Sequence, residues 1–389
     1  MIRLAFVIHF SRTWLGGMNV ILNLINTIQN YKNIKSKLEI ILLTNSKQKL
    51  KKFKIDKNVK IIENQELFKQ NIFIKIIDKI SLIFTGKTIF LEKILLKYKI
   101  NYISHTTLIT GNKSFTKSII WIPDFQYLHF PNFFSLKYKI LKKINLQIYK
   151  NHAYKILLSS NEAKKDLKKV CNISSSKILV NRFIFNLPKY NELKNFSYLK
   201  KKYSLKKNFF YLPNQYWIHK NHHVVIKALK KIKSESNKNI LIYSSGSKED
   251  YRNPQNFKNL FEIVNKYKLQ KNYIYLGLIP FIDVLSLIYH SLAVLNPSYF
   301  EGWSSTVEQA KAYNKRIILS KIKVHKEQNP KYAYYFEPDD YIKLSRILLK
   351  INFSKKQKLT FNKKKEISNN DKVNIYTKAY YRMILKKLS

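Results

Sequence analysis

The stretch from Leu292 to Ser320 constrains the fold more than any other part of this 389-residue chain. Its first apolar run, 292–295, is short enough for a buried strand, and Pro297 blocks continuation of a sheet ladder. We expect a helix from about Thr306 to Asn314, followed by a second strand at 317–319. Strand, tight loop, helix and strand form half of a parallel α/β unit, because parallel strands need a crossover between them.

The loop of this unit carries the side chains that first suggest a binding site. One acid, a glycine, an aromatic ring and two hydroxyls follow each other there: Glu301, Gly302, Trp303, Ser304 and Ser305. Ser305 and Glu308 have the spacing of a capping box, which predicts a helix start at Thr306. A carboxylate beside a helix N-terminus can hold hydroxyls and an anion together. A nucleotide-sugar offers both groups.

The segment from Phe300 to Ser320 resembles the donor-sugar motif of glycosyltransferase family 4, whose members are retaining enzymes of the GT-B fold. That motif has a Glu, then Gly and an aromatic residue, and a second Glu eight positions after the first. Glu301 matches the first acid, whereas Gln309 occupies the second position and Glu308 stands one residue early. The resemblance implies that Glu301 holds sugar hydroxyls and that Gln309 faces the ribose. It places the rest of the loop beside the donor: Gly302, Trp303, Ser304 and Ser305.

Two more loops carry the resemblance. In the loop after the strand 209–212, family members use a basic residue and a Lys five positions later to grip the donor diphosphate. Lys220 matches the Lys, while Gln215 stands at the first position and brings no charge, so phosphate binding is expected to depend on Lys220. Near the N-terminus, a strand at 4–8 and a helix from about 18 to 31 flank the Gly16–Gly17 pair. That order is typical of a phosphate-binding loop, although a plain turn explains the glycines equally well.

A loop in the first half matches the acceptor side of a subset of the family. A strand at 118–122 runs into the sequence Trp-Ile-Pro-Asp-Phe-Gln, which places Asp124, Gln126 and His129 after the strand end, where α/β ligand sites gather. The resemblance implies that Asp124 or His129 orients the acceptor. The alternative is a turn in which Asp124 caps backbone groups.

Glycine is scarce, with 7 in the chain, so a retained glycine is expected to meet a backbone need. The glycines beside predicted strands fit that expectation: Gly16, Gly17, Gly246, Gly277 and Gly302. Gly86 and Gly111 lack such a position, and an accidental occurrence explains them.

The formal net charge of +50 raises the question of nucleic acid binding. Only 7 of the 73 basic residues are Arg, and the charge is spread along the chain, so we expect no specific nucleic-acid partner. An anionic membrane surface remains an expected partner. The segment 71–99 predicts two amphipathic helices broken near Gly86. They either lie on a membrane or pack on a sheet with their lysines outside.

Cofactor and compartment signals are few. The single cysteine, Cys171, excludes an internal disulfide and fits a reducing cytoplasm. No long uncharged apolar run or signal peptide is evident. No Asp-x-Asp triplet occurs, and the spacing of His219, His222 and His223 matches no zinc site, so neither metal nor cofactor is expected.

Together these features predict an α/β protein of the GT-B fold, with two doubly wound Rossmann-like domains facing a cleft. The expected boundaries are an acceptor-side domain at 1–190, a linker at 191–206, a nucleotide-sugar domain at 207–370 and a C-terminal helix at 371–389 that crosses back. The resemblance implies a retaining, metal-independent hexosyltransferase that acts on a glycan or lipid-linked acceptor in bacterial lipopolysaccharide or capsule synthesis. Its expected location is cytoplasmic, on the inner face of the bacterial membrane. A sugar-nucleotide epimerase of the same fold and a non-catalytic polyanion-binding protein remain alternatives.

Overall fold

The computed structural model describes residues 1–9, 15–29, 38–51, 53, 55–183, 185–236, 238–250, 252–353 and 369–385. The chain divides into two compact units, one formed by Met1–Asn186 with Ile367–Ser389 and the other by Leu187–Glu366. Each unit is built on one parallel sheet with helices connecting its strands.

The first unit has a seven-stranded sheet in the order β3-β2-β1-β4-β5-β6-β7. Its strands are β1 (Ile2–Ile8), β2 (Leu38–Thr44), β3 (Lys60–Glu63), β4 (Tyr102–Thr106), β5 (Lys117–Ile122), β6 (Lys155–Leu158) and β7 (Ile178–Val180). Its helices are α1 (Leu15–Gln29), α2 (Lys47–Leu50), α3 (Gln65–Phe68), α4 (Ile72–Thr85), α5 (Phe90–Lys97), α6 (Gln126–His129), α7 (Leu136–His152) and α8 (Asn161–Val170). Strand β1 is buried at Leu4, Ala5 and Phe6, as expected for a central parallel strand covered on both faces.

The second unit has a six-stranded sheet in the order β10-β9-β8-β11-β12-β13. Its strands are β8 (Phe210–Leu212), β9 (Ile242–Ser244), β10 (Tyr273–Tyr275), β11 (Val294–Asn296), β12 (Ile317–Ser320) and β13 (Ala333–Phe336). Its helices are α9 (Phe196–Tyr203), α10 (His222–Glu235), α11 (Asn256–Lys266), α12 (Phe281–His290), α13 (Ser305–Ala312), α14 (Lys323–Gln328) and α15 (Tyr341–Phe353). Two apolar clusters fill the space between this sheet and its helices.

The stretch 191–206, predicted to be a linker, contains helix α9 and belongs to the second unit. Asn195 caps α9 by accepting a hydrogen bond from the Tyr198 backbone, and Leu199 and Leu205 are buried in the core of this unit. The sequence hides this because lysines cover the rest of the helix and only one apolar residue per turn faces inward.

The last helix, α16 (Asn369–Leu385), packs on the first unit. Its Tyr380 hydroxyl lies 2.5 Å from the Ser104 hydroxyl in the middle of β4, and its ring stacks on Phe6 of β1. Within the described ranges no helix is long and apolar enough to cross a bilayer.

Two glycines that the sequence left unexplained have clear backbone roles. Gly86 ends α4 in a left-handed conformation (φ 73°), and Gly111 has φ 122°. A Cβ on Gly111 would lie 2.1 Å from the Gly86 carbonyl oxygen, so only glycine fits there. The prediction that these glycines are accidental is therefore wrong, because their contact joins segments distant in sequence. The predicted break between α4 and α5 at Gly86 is confirmed.

Candidate functional site: the carboxyl edge of the second sheet

Strands β8 and β11 are neighbours in the second sheet, although the chain visits β9 and β10 between them. From this pair the strand order runs outward in both directions, which makes the edge between them a topological switch point. In open α/β sheets, ligands bind in the crevice outside the carboxyl ends of the strands at such a point. The loop after β8 carries Gln215 and Lys220, and the loop after β11 carries Glu301.

An ion pair joins these two loops. The Lys220 ammonium lies 2.7 Å from Oε1 of Glu301, with the side chains 14% and 8% exposed. Burial alone would raise the pKa of Glu301, but the Lys220 charge, aided by the Ser298 hydroxyl, holds that pKa below its ordinary value. Glu301 is therefore a carboxylate at neutral pH. No described residue donates a hydrogen bond to its Oε2, so this oxygen can accept one from a ligand hydroxyl.

Backbone contacts hold the two loops together. Asn221, left-handed at φ 53°, donates from Nδ2 to the Pro297 carbonyl at 3.2 Å, and the Tyr299 N–H donates to the His219 carbonyl at 2.8 Å. Lys220 stands between His219 and Asn221, so its position follows from both bonds. The loop after β8 thus fixes the cation against the loop that carries the acid.

A buried amide pair lies beneath the loops. Asn214 donates from Nδ2 to Oδ1 of Asn296 at 3.1 Å, and Asn296 donates to the Ser304 hydroxyl at 2.6 Å. The Ser298 hydroxyl lies 2.6 Å from Asn296 Oδ1 and 2.7 Å from Glu301 Oε1, and its single proton serves one of them. This network connects the end of β8 to the start of α13 through the Glu301 loop.

Helix α13 begins one residue earlier than predicted, and its cap differs from the expected capping box. Ser304, not Ser305, accepts the hydrogen bond from the Val307 backbone. The Glu308 carboxylate instead lies 3.0 Å from Lys311 Nζ and 3.0 Å from Nε2 of Gln328. Both residues of the Ser-x-x-Glu pattern are present, but a second serine directly before it offers an equally good cap.

Gln328 restricts what the start of α13 can bind. Its Oε1 accepts a hydrogen bond from the Ser304 N–H at 3.2 Å, and its Nε2 donates to the Ser304 carbonyl at 2.9 Å. The resemblance places Ser304 beside the donor, but its backbone N–H is already used inside the protein. Gln309 is buried on α13, and no described residue forms a hydrogen bond with its side chain. Its amide is thus available to a ligand.

His325 is a member of the site that the sequence did not reveal. His325 belongs to no motif recognised in the sequence. The only indication of a role was its position five residues after the end of β12. Its Nδ1 donates to the Ser320 carbonyl at 2.8 Å, so the proton sits on Nδ1, and Nε2 is buried without a partner among the described residues. Burial lowers the pKa of His325 to about 4, although the charge of Glu301 opposes that shift. A neutral histidine therefore lies near the acid.

Gly246 brings the loop after β9 against the loop after β8. Its φ is 149°, and a Cβ there would lie 2.6 Å from the Asn214 carbonyl oxygen and 2.9 Å from Cα of Gln215. The Tyr216 N–H donates to the Ser247 carbonyl at 2.9 Å across the same contact. The expected backbone need of Gly246 is thus met. The backbone carbonyl oxygen of Gln215 lies 3.1 Å from Nε2 of His222, and this contact positions Gln215.

The predicted residues of the first unit lie at the carboxyl edge of its own sheet. Gly16 and Gly17 follow β1 but occupy the first turn of α1, so the glycines belong to the helix and not to a loop before it. The preceding residues 10–14 lie outside the described part of the chain. The first turn of a helix exposes backbone N–H groups, which leaves anion binding possible there.

Asp124, Gln126 and His129 follow β5, two strands away from β1 in the sheet. Asp124 accepts a hydrogen bond from the Gln126 N–H at 3.0 Å, which is the capping role considered as the alternative for this residue. The exposed His129 ring lies 2.7 Å from the buried carboxylate of Asp166 on α8. Such a carboxylate fixes the orientation of the ring. Among the described residues, no three His, Cys, Asp or Glu side chains form a metal-binding cluster.

Comparisons with known proteins agree with this architecture. Residues 191–370, slightly less than half of the chain, match the family model of glycosyl transferases group 1. The solved structure of Anabaena Alr3699/HepE in complex with UDP and glucose has a TM-score of 0.65 at 13% identity, covering 100% of this chain and 99% of that one. WaaG, a glycosyltransferase involved in lipopolysaccharide biosynthesis, has a TM-score of 0.63 at 13% identity, with coverages of 99% and 98%.

The fold also occurs in an enzyme of another class. The UDP-GlcNAc 2-epimerase from Methanocaldococcus jannaschii has a TM-score of 0.57 at 14% identity, covering 99% of this chain and 100% of that one. No curated protein matches the sequence. The chain therefore has the GT-B fold, and its residues 191–370 carry the sequence pattern of glycosyl transferases group 1.

Proposed function

We propose that the protein transfers a hexose from a nucleotide-sugar to a glycan or lipid-linked oligosaccharide, with retention of the anomeric configuration and without a metal ion. The observation that carries this proposal is the buried Lys220–Glu301 pair at the switch point of the second sheet. It places one fixed cation and one fixed carboxylate side by side within the stretch that matches glycosyl transferases group 1. The cation can bind a diphosphate, and the carboxylate can accept hydrogen bonds from sugar hydroxyls.

In this proposal Lys220 stabilises the negative charge that develops on the leaving diphosphate. A fixed cation in a site that excludes water contributes several kcal/mol to such a step, on the order of 3 kcal/mol for one donor group. The positive charge of Lys220 keeps Glu301 ionised, and Oε2 of Glu301 accepts a hydrogen bond from a sugar hydroxyl. Gln309 faces the ribose, and Trp303 and Ser305 line the donor site. These roles remain proposals that the geometry supports.

On the acceptor side we propose Asp124, Gln126 and His129, with Asp166 orienting the His129 ring. The acceptor would belong to a bacterial surface polysaccharide, either lipopolysaccharide or capsule. A lipid-linked acceptor would place the protein on the inner face of the cytoplasmic membrane, where its positive charge meets anionic lipids.

The test has two steps. A thermal-shift panel of UDP-, GDP-, dTDP- and ADP-sugars first identifies the donor, because a ligand at 100 times its dissociation constant adds about 2.7 kcal/mol to stability. Nucleotide release is then followed with and without a glycan acceptor. Release that requires the acceptor supports transfer. A new sugar isomer without an acceptor would instead support an epimerase, and stabilisation by polyanions alone would support a binding protein.

A further inference from the structure

Helix α4 turns its apolar face away from the protein. Only Asp78, Ser81 and Leu82 are buried in this 14-residue helix. Its apolar side chains that are 43–83% exposed are Ile72, Phe73, Ile76, Ile77, Ile80, Ile83 and Phe84. At about 100° per residue, these seven fall within one continuous arc of about 140°, opposite the buried side. We call this arc the α4 face.

Hydrogen bonds on the buried side fix this orientation. The Asp78 carboxylate accepts from the first backbone N–H groups of α5, at 2.8 Å from Phe90 and 3.0 Å from Leu91. The Ser81 hydroxyl donates to the Lys87 carbonyl at 2.8 Å. Rotating α4 to bury its apolar arc would break these bonds and leave the N-terminus of α5 uncapped. The polar side therefore anchors the helix and the apolar side is left for another partner.

Exposed lysines border the α4 face. Lys75 and Lys79 lie along one edge of the arc, and Lys87 and Lys113 lie at the C-terminal end of the helix near Gly86. None of these four forms an ion pair with a residue that the structure describes. An apolar strip with uncompensated lysines at its edge matches the boundary between lipid headgroups and acyl chains.

Helix α7 adds a second exposed apolar strip in the same layer. Residues Ala5 and Ile103 are paired across β1 and β4, as are Ile120 and Ile156 across β5 and β6. Ile103 also pairs with Ser118, two residues before Ile120, so all of these side chains point to one face of the sheet.

Both α5 and α7 pack on that face of the sheet. Leu91 and Leu95 of α5 pack in the cluster of Ala5 and Ile103, while Leu146 of α7 packs in the cluster of Ile120 and Ile156. The exposed aliphatic side chains of α7 are Leu136, Ile140, Leu141 and Ile144. The exposed apolar side chains of α7 therefore belong to a helix on the same side of the sheet as α5, to which α4 is anchored.

We propose that the α4 face inserts into the interfacial region of a bilayer that contains anionic lipids. The apolar arc enters the acyl boundary and the bordering lysines contact lipid phosphates. A second copy of this chain is a poorer occupant, because a symmetric contact would bring the same unpaired lysines and a net charge of +50 on each copy together. This inference adds to the proposed function an insertion step that charge alone does not predict, and it requires no catalytic turnover.

Vesicle co-sedimentation of the full-length protein tests it. We expect binding to phosphatidylcholine vesicles that contain phosphatidylglycerol. Part of this binding should persist at salt concentrations that shorten the screening length to about 3–8 Å, because insertion of apolar side chains does not depend on charge. The variant Phe73→Gln/Ile80→Gln/Phe84→Gln should lose about tenfold or more in partitioning. A matched control, Tyr190→Gln/Ile342→Gln/Phe353→Gln, removes three exposed apolar side chains from the second unit and should bind within about twofold of the wild type.

Circular dichroism and donor thermal shift check that both variants remain folded, which separates this inference from the proposed reaction. Phe84→Trp should show a blue shift of its emission with anionic vesicles. Equal binding by the triple variant, or an unshifted Phe84→Trp emission, would overturn insertion. A dimer in sedimentation velocity that the triple variant abolishes, without any vesicle binding, would assign the face to a second copy and also overturn it.

Discussion

At the scale of single residues, the Lys220–Glu301 pair sets the first prediction. Glu301→Gln and Lys220→Met should each reduce turnover by about 100-fold or more, because each removes a charge that the proposed transition state needs. Each single variant also leaves a buried charge without its partner, which costs about 3–5 kcal/mol. The double variant Glu301→Gln/Lys220→Met should regain stability but not activity, as measured by urea unfolding and nucleotide release. Near wild-type transfer by the double variant would show that neither residue takes part in the reaction.

Glu308 and Gln309 are adjacent on α13 yet have different environments. Glu308→Gln should lower stability by about 1–3 kcal/mol with little change in donor affinity, because its carboxylate bonds Lys311 and Gln328. Gln309→Ala should weaken donor binding severalfold and leave stability nearly unchanged, because its side chain has no hydrogen bond with the described residues. Calorimetric titration and urea unfolding of both variants measure the two effects. If Glu308→Gln instead weakened donor binding and Gln309→Ala did not, the donor motif would be aligned one residue earlier, on Glu308.

Buried histidines predict how stability depends on pH. Burial lowers the pKa of His105 and His222 to about 3 and that of His325 to about 4. These rings stay neutral in the folded protein, whereas the unfolded chain protonates them below about pH 6.5. The unfolded state thus binds more protons, so stability should fall as pH drops from about 6.5 to 4. Urea unfolding at several pH values measures this slope, and His222→Gln should make it shallower. A stability that is constant between these pH values would contradict the assignment.

At the scale of elements, two glycines at strand ends form a matched pair. Gly246→Ala should cost more than about 2 kcal/mol, because its Cβ would lie 2.6 Å from a backbone oxygen in addition to the strain of a positive φ. Gly277 has φ 83° but nothing within 4 Å of its Cβ site, so Gly277→Ala should cost about 1 kcal/mol. Only Gly246→Ala should also weaken donor binding, since Gly246 packs against the loop that carries Lys220. Equal costs in urea unfolding would show that the close approach is not limiting.

The order and type of the elements around the site could be predicted from the sequence, because short apolar runs and helical periods alternate there. Strands β11 and β12 and helix α13 lie close to their predicted positions. The start of α13 was off by one residue because Ser304 and Ser305 both satisfy the cap pattern. Helix α9 was missed because its lysines hide a single inward-facing apolar residue per turn.

Other element-level features depend on contacts that no local pattern contains. Whether α4 lay on a membrane or packed on the sheet was left open, and periodicity alone gives an apolar stripe in either case. Its orientation follows from Asp78, which caps α5. Likewise Gly111 is required because Gly86 approaches it from a distant segment. Such choices are made in tertiary structure and leave no signal in a single sequence.

At the scale of the whole molecule, the two parallel sheets were predictable from alternation, but the network around Glu301 was not. Lys220 and Glu301 are 81 positions apart, and only the adjacency of β8 and β11 brings them into contact. The resemblance named both residues as donor ligands without indicating that they pair with each other. His325 entered the site through the same kind of long-range approach, because the chain after β12 returns to the Glu301 loop.

The net charge of +50 makes a last prediction about the entire chain. Like charges repel more strongly in the compact state than in the expanded unfolded chain, so the excess of lysine destabilises the fold at low ionic strength. Raising NaCl from about 0.01 M to 0.5 M shortens the screening length from about 30 Å to a few Å, and Tm should rise by several degrees. Chloride is the suitable salt, because sulfate also strengthens apolar burial. The same salt should release bound nucleic acid, since contacts made by dispersed lysines lack base recognition. Tm should respond similarly to KCl, and a Tm that falls with either chloride salt would mean that specific ion pairs outweigh the general repulsion.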